Sequence, residues 1–504
     1  MSRVKPDRST FESLAARFPI VPVWREVLAD DQTPVGAFMR LDPQPNGFLL
    51  ESVEGGERWA RYSFLGGDAF AVVRASNGRV QVEGHPLVEP EADEAPFAFV
   101  RRLLEQTRAP RIEGLPPFHG GAVGFAGYDC VRELEHLPDT PQDDMGLPDL
   151  ALMLTRTVVV FDHLAQKAFV IVNVPSTGDL AAAYDDAQTR IEGVVDRLST
   201  PPAATALDLE LAEDLPEFSS PVSDEEFRRW VETAREHIFA GDIFQVVPSR
   251  RFHAPLRGST FGAYRVLRTL NPSPYMYFLR FEGMDGDPFE IAGSSPEPLV
   301  RVTGDLVVAR PIAGTRERGM TEEEDLKLEA DLLSDEKERA EHVMLVDLAR
   351  NDLGRVCRYG SVSVDELMVV ERYSHVMHLV SNVSGTLAEG VTGFDALTAC
   401  FPAGTVSGAP KVRAMEIIDS LERTKRGPYA GVVGYVDFSG NLDTCITIRT
   451  IVAAGGKAYV QAGAGIVADS VPEMEAEETR RKAEALLRAV AGAASLQEPS
   501  PRKA

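Results

Sequence analysis

The residues with the clearest capacity for chemistry are pairs of carboxylates spaced one helical turn apart. In DLLSDEKERAEHVMLVDLARNDLG, residues 331–354, Glu338, Glu341, His342, Leu345 and Ala349 fall on one face at about 100° per residue. Ser334 followed by Asp335 and Glu336 predicts an N-cap with acids in the first turn, and Gly354 predicts the stop. Acids in a first turn are commonly solvated. Val343, Met344, Leu345, Val346 and Leu348 nevertheless make this helix apolar almost all round, which predicts burial. Buried carboxylates need a cation, a proton or a hydrogen-bond partner, so the helix reads as half of a metal or acid–base site. A helix from Pro472 to about Ala491 repeats the theme, with Glu475 and Glu478 beside a stripe of Ala476, Ala483, Leu486, Leu487 and Val490. Carboxylates from two helices, without a His–Cys ligand set, suit a hard oxygen-seeking cation, and Mg²⁺ fits best.

Four further stretches point to an anionic ligand. PIAGT (311–315) and QAGAGI (461–466) read as strand-end glycine turns able to present backbone N–H groups. FPAGTVSGAPKVRAMEII (401–418) is a Gly-Pro loop feeding a helix, where Lys411 is either a substrate-neutralising charge or a solvated one. DTCITIRT (443–450) places Arg449 inside a β run, where a buried charge needs a counter-anion. Each has a purely structural reading alone; together they describe a pocket for a small molecule bearing carboxylates.

The elements that must position these residues follow from periodicity. Residues 1–18 read as a short amphipathic helix, and from about Ile20 to Val174 the chain reads as short strands broken by Gly and Pro, with one helix near Phe97–Gln106. Asp179–Leu198 and Asp224–Ala240 read as helices around a Pro- and acid-rich stretch, 199–223, the best linker candidate. Runs DIFQVVPSRRF, YMYFLRF, IAGSS and LVVARPIAGT predict strands before the central helix; Ser361–Val370, His375–Thr386, GVVGYVDF, DTCITIRTIVAA and KAYVQAGAGIVA predict strands after it. Strands with helices grouped between them favour an α+β class. The organisation expected is an N-terminal region over 1–198, a linker over 199–223, a catalytic region over 224–494 and a disordered tail over 495–504.

Composition narrows the function. With 504 residues, 44% hydrophobic and 26% charged, the chain is an ordinary globular protein. A net charge of −25 argues against nucleic-acid and anionic-membrane partners. No apolar run of about 18 residues and no signal-peptide core appear, so a cytoplasmic location is expected. Cys130, Cys357, Cys400 and Cys445 are scattered, which predicts free thiols and no zinc or disulfide framework.

DIFQVVPSRRF, PIAGTRERG, EHVMLVDLARNDLGRV, VMHLVSNVSG, FPAGTVSGAPKVRAMEII and PYAGVVGYVDFSGNLDTCITIRT, in this order, resemble the signatures of the chorismate-utilising enzymes, and within them the large subunits of anthranilate synthase. The resemblance runs from roughly Phe11 to Val490. It implies two large, mostly antiparallel sheets packed as a sandwich with helices outside. It also implies conversion of chorismate and ammonia to anthranilate and pyruvate. By that resemblance Glu341 and Glu478, with Glu475 adjacent, bind Mg²⁺; Glu338 is the general acid; His378 serves the second step, and Thr405 is catalytic. Gly314, Thr315, Tyr429, Arg449, Gly463, Ala464 and Gly465 match chorismate-contacting positions.

Within the family, Ala313 discriminates. Aminodeoxychorismate and isochorismate or salicylate synthases typically carry Lys there as nucleophile or base, and alanine can be neither. A non-catalytic regulatory subunit is disfavoured by the intact set of acids, His378 and Arg449. GFLLES and NPSPYMYF resemble a tryptophan feedback site, with Ser52, Pro274, Tyr275 and Met276 as contacts and Glu51 and Asn271 in support. No amidotransferase motif is present, so the resemblance implies a separate glutamine amidotransferase small subunit, in an assembly of two large and two small subunits.

Overall fold

The computed structural model describes residues 4–52, 61–85, 87–201, 215–373, 376–494 and 496. Most of the anticipated linker and tail, and His375, lie outside the described residues.

Alternating apolar residues build two large sheets, one of ten strands and one of eleven, with every strand pair antiparallel. Period-two alternation sends one side of each strand inward. Leu279 and Ile291 face the layer between the sheets, with Phe64, Phe125, Phe169 and Tyr435, whereas their neighbours Phe278 and Ala292 face the helices outside. The helices Leu180–Leu198, Thr260–Leu270 and Pro472–Ala493 cover the ten-stranded sheet. Pro96–Gln106 and Gly393–Cys400 cover the other. The architecture is the expected α+β sandwich with helices outside.

Both sheets mix strands from either side of the anticipated linker. In the ten-stranded sheet Gly47–Glu51 pairs with Tyr275–Glu282. In the other, Gly121–Ala126 pairs with Val432–Asp437. The sequence regions 1–198 and 224–494 therefore share both sheets.

Several local expectations change. A helix over Glu322–Ser334 precedes the central helix, Glu336–Gly354, so Ser334 ends one helix and Asp335 caps the next by accepting from Lys337 N and Glu338 N. The central helix is not buried all round: Val343 is 45% exposed, and the buried face is His342, Leu345, Val346 and Leu353. Residues 306–315 are two strands, Leu306–Ala309 and Ile312–Glu317, and the glycine of PIAGT sits at a bulge within the second rather than at a strand end. Likewise 242–252 contains a two-residue bridge strand at Gln245–Val246 and a separate strand, Ser249–Pro255.

The largest revision concerns 443–454. Leu442–Ile446 lies in the eleven-stranded sheet and Thr450–Ala454 in the ten-stranded one. Arg449 is not inside a β run but in the crossover between the two sheets, with φ +51°.

Candidate active site

The central helix packs against Ile312–Glu317 and Val376–Thr386, which places Glu338 beside the bulge. Gly314 has φ +73°, and a Cβ there would stand 3.2 Å from Glu338 Oε2, so glycine is needed for conformation and for the close approach. Burial, with Glu341 nearby, raises the Glu338 carboxyl above its ordinary range, against the opposing pull of Arg316 at 3.4 Å. Arg316 is itself held by Asp331 at 2.8 Å and Asp335 at 2.7 Å. It is thus fixed beside Glu338 without being committed to it.

On the adjacent strand, His378 Nδ1 lies 3.2 Å from the Gly314 carbonyl and 3.0 Å from Thr315 Oγ1. A ring nitrogen facing a carbonyl carries the proton, which leaves Nε2 as the basic nitrogen. Burial lowers the His378 pKa, so the ring is neutral at physiological pH and poised as a base. The sign is direct: as pH falls through the lowered value the ring is protonated and the base is lost. The pH–rate profile is expected to show an acid limb below the ordinary histidine value of about 6.5 that disappears in His378→Ala.

A second group surrounds Glu297, which is partly buried and whose carboxyl is raised by desolvation. It accepts a hydrogen bond from Thr405 Oγ1 at 2.9 Å and is stabilised by the charges of Lys482 and Arg449. Arg449 makes no salt bridge among the described residues, and burial lowers its pKa against the attraction of Glu297, Tyr429 and Glu478. The buried Tyr429 stands over the strand end at Gly463, where an added Cβ would lie 2.8 Å from its hydroxyl. Ala464 N donates to Pro248 O at 3.1 Å, and Gly465 admits Gln245, whose Nε2 would lie 2.8 Å from a Cβ at that glycine.

Gln245 joins the groups by donating to Glu341 at 2.8 Å. Lys482, one turn beyond Glu478 on the last helix, reaches Glu478 at 2.6 Å and the Gly463 carbonyl at 3.1 Å. Burial raises the Glu475 carboxyl, against the opposing charges of Lys337 on the central helix and Lys482 on its own. Among the described residues no three His, Cys, Asp or Glu side chains form a ready cage for a metal. Glu341 accepts from Gln245 and Glu478 pairs with Lys482, and both side chains offer only oxygen, the donor chemistry that suits a hard cation such as Mg²⁺.

Sequence reasoning did not single out Glu297, Gln245, Arg316 or Lys482. Lys482 had a readable signal, its i, i+4 spacing from Glu478; the other three are joined to the site only by long-range packing. Lys411 pairs with Asp352 at 3.0 Å and serves the helix packing.

Ser52, Pro274, Tyr275 and Met276 lie apart from this site and line one cavity of about 360 Å³ between the sheets, a volume typical of small-molecule sites. Tyr275 donates to Asp443 at 2.9 Å, and Asp443 also meets Arg301 at 2.6 Å. Glu51 is tied to Tyr264 at 2.6 Å and Arg268 at 2.9 Å, and Asn271 donates to Ser294 at 3.2 Å.

A sandwich with two acid-bearing helices and a partly buried arginine that makes no salt bridge among the described residues suits an enzyme that handles carboxylated small molecules. The chorismate binding enzyme family model matches residues 48–488. Anthranilate synthase component 1 of Acetivibrio thermocellus is 50% identical over 489 residues, covering 96% of this chain and 98% of its own length. That of Pseudomonas putida is 50% identical over 494 residues, with the same coverage. The crystal structure of anthranilate synthase component I from Streptococcus pneumoniae TIGR4 superposes with a TM-score of 0.75 at 39% identity, over 92% of this chain and 99% of that one. The chain belongs to the chorismate binding enzyme family, in its anthranilate synthase component 1 branch. No helix among the described residues is long and apolar enough to cross a membrane.

Proposed function

We propose that the chain is the synthase subunit that converts chorismate and ammonia to anthranilate and pyruvate, a lyase of tryptophan biosynthesis. The observation that carries the reading is Arg449: a partly buried, desolvated guanidinium without a salt-bridge partner among the described residues, within the electrostatic reach of Glu297, Tyr429 and Glu478. Such a charge calls for an anion, and the substrate is a dicarboxylate. Arg449, with Tyr429 and the Gly463–Ala464–Gly465 turn, orients a carboxylate. Gly314 and Thr315 line the opposite side, next to the acid. Glu338 protonates the departing ring hydroxyl as ammonia adds to the ring. His378 Nε2 takes the ring proton that must leave when pyruvate departs and the ring becomes aromatic. Thr405, fixed by Glu297, lies in the same site. Glu341 and Glu478, with Glu475 beside them, hold Mg²⁺, which when bound supplies positive charge to the ring carboxylate.

Ala313 supports this chemistry over that of the lysine-dependent relatives, since direct attack by ammonia needs no side-chain nucleophile at that position. Ammonia comes from glutamine through a separate amidotransferase subunit, two of each chain forming the complex in the cytoplasm. Tryptophan binds the inter-sheet cavity at Ser52, Pro274, Tyr275 and Met276 and inhibits.

The test uses the purified chain with chorismate, Mg²⁺ and an ammonium salt at mildly alkaline pH, followed by product fluorescence and chromatography. Anthranilate is expected, lost with a chelator, restored by Mg²⁺, suppressed by millimolar tryptophan and not supported by glutamine alone. Aminodeoxychorismate or isochorismate as the product overturns the Ala313 argument. Bound chorismate with no turnover makes the chain a regulatory subunit instead.

A further inference from the structure

One side chain links the inter-sheet cavity to the segment that carries Arg449. Tyr277, on the strand Tyr275–Glu282, is 1% exposed, and its ring lines the cavity beside Tyr275, Met276 and Asp443. Its hydroxyl reaches out of the cavity to Thr450 Oγ1 at 2.6 Å. Thr450 Oγ1 in turn donates to the Ile448 carbonyl at 2.8 Å, so the proton between the two hydroxyls belongs to Tyr277. Tyr277 thereby anchors the C-terminal side of the segment that presents Arg449.

Two features make this contact specific. Position 293, paired directly with Tyr277, is glycine, and a Cβ there would stand 2.1 Å from Tyr277 Cζ and 2.4 Å from its hydroxyl. The glycine opens the passage through which the ring crosses the neighbouring strand. Arg449 also has φ +51°, a left-handed conformation that a non-glycine residue keeps only where its surroundings enforce it. Its carbonyl is fixed by Ser294 N at 3.0 Å, and the Tyr277–Thr450–Ile448 chain fixes the side of the turn facing the cavity. The opposite wall of the cavity leads to the same place: Leu442, Asp443 and Cys445 line it, on a strand that ends at Ile446, three residues before Arg449.

We infer that Tyr277 is the strut through which an occupant of the inter-sheet cavity displaces Arg449; this rests on the reading of that cavity as the tryptophan site. Tyr277 acts as a positioning residue. An occupant packed against its ring shifts the hydroxyl, the turn loses its anchor, and Arg449 leaves the orientation that receives the substrate carboxylate. By linkage, bound substrate weakens tryptophan by the same factor as tryptophan weakens substrate.

The experiment measures tryptophan binding to the full chain by equilibrium dialysis, with and without saturating chorismate and without ammonia, alongside tryptophan inhibition of turnover. Tyr277→Phe keeps the ring and removes the hydroxyl. Thr450→Val removes the acceptor at a residue that does not line the cavity. In the unmodified chain chorismate is expected to weaken tryptophan about tenfold or more. In both variants that ratio is expected to collapse towards one, with tryptophan affinity in the absence of chorismate kept within about threefold and the double variant no worse than either single one. A wild-type ratio in both variants overturns the inference while leaving the tryptophan site standing. Absence of tryptophan binding to the unmodified chain overturns both.

Discussion

Glu338→Gln is expected to lower kcat by about 10³-fold while chorismate binding stays within a few-fold, the signature of a lost general acid. The substitution is isosteric, and the side chain is only 26% exposed, so packing beside Gly314 is preserved and the change is confined to the proton. Burial first, and Glu341 second, hold the carboxyl above its ordinary range, so the protonated form persists to higher pH than that of a solvated glutamate. Arg316 opposes this from 3.4 Å, but its better-placed partners Asp331 and Asp335 draw most of its charge. Single-turnover kinetics with ammonium, together with a chorismate binding isotherm, check the prediction. Turnover within a few-fold of the unmodified chain would remove Glu338 from the acid role.

Arg449→Ala is expected to reduce kcat/KM by about 10²–10³-fold, roughly 3–4 kcal/mol, mostly through KM. The magnitude is that of removing one member of a desolvated charge pair, since the substrate carboxylate would enter a site where Glu297, Glu341 and Glu478 supply negative charge. Arg449→Lys keeps the charge but not the planar fork, and an intermediate loss is expected. Steady-state kinetics across chorismate concentrations separate the two parameters; a fall in kcat at unchanged KM would move Arg449 from binding to the chemical step.

Helical periodicity made the carboxylate pairs legible. Glu338 with Glu341, and Glu475 with Glu478, are one turn apart whatever else the chain does, and the structure keeps them on helices with those spacings. The strand runs 275–281 and 431–438 were readable for the same local reason. Arg449 was not: DTCITIRTIVAA is a continuous β-branched pattern with no Gly or Pro to mark a break, yet its two halves belong to different sheets. Ser334 and Asp335 are both able to cap, and the helix that ends at Ser334 decided for Asp335.

What the sequence by itself determined was therefore which residues carry charge at which local spacing, and that strands and helices would group into an α+β class. Only the tertiary structure decided what those charges face. Glu297 lies 108 residues from Thr405 and Gln245 lies 96 from Glu341, and no local period relates them. The same holds for Tyr277 and Thr450, 173 residues apart, and for the cavity that gathers Ser52 with Pro274, Tyr275 and Met276. Local patterns are set by bond geometry and solvation within a few residues, whereas these contacts exist because two antiparallel sheets draw strands from both halves of the chain and pack face to face.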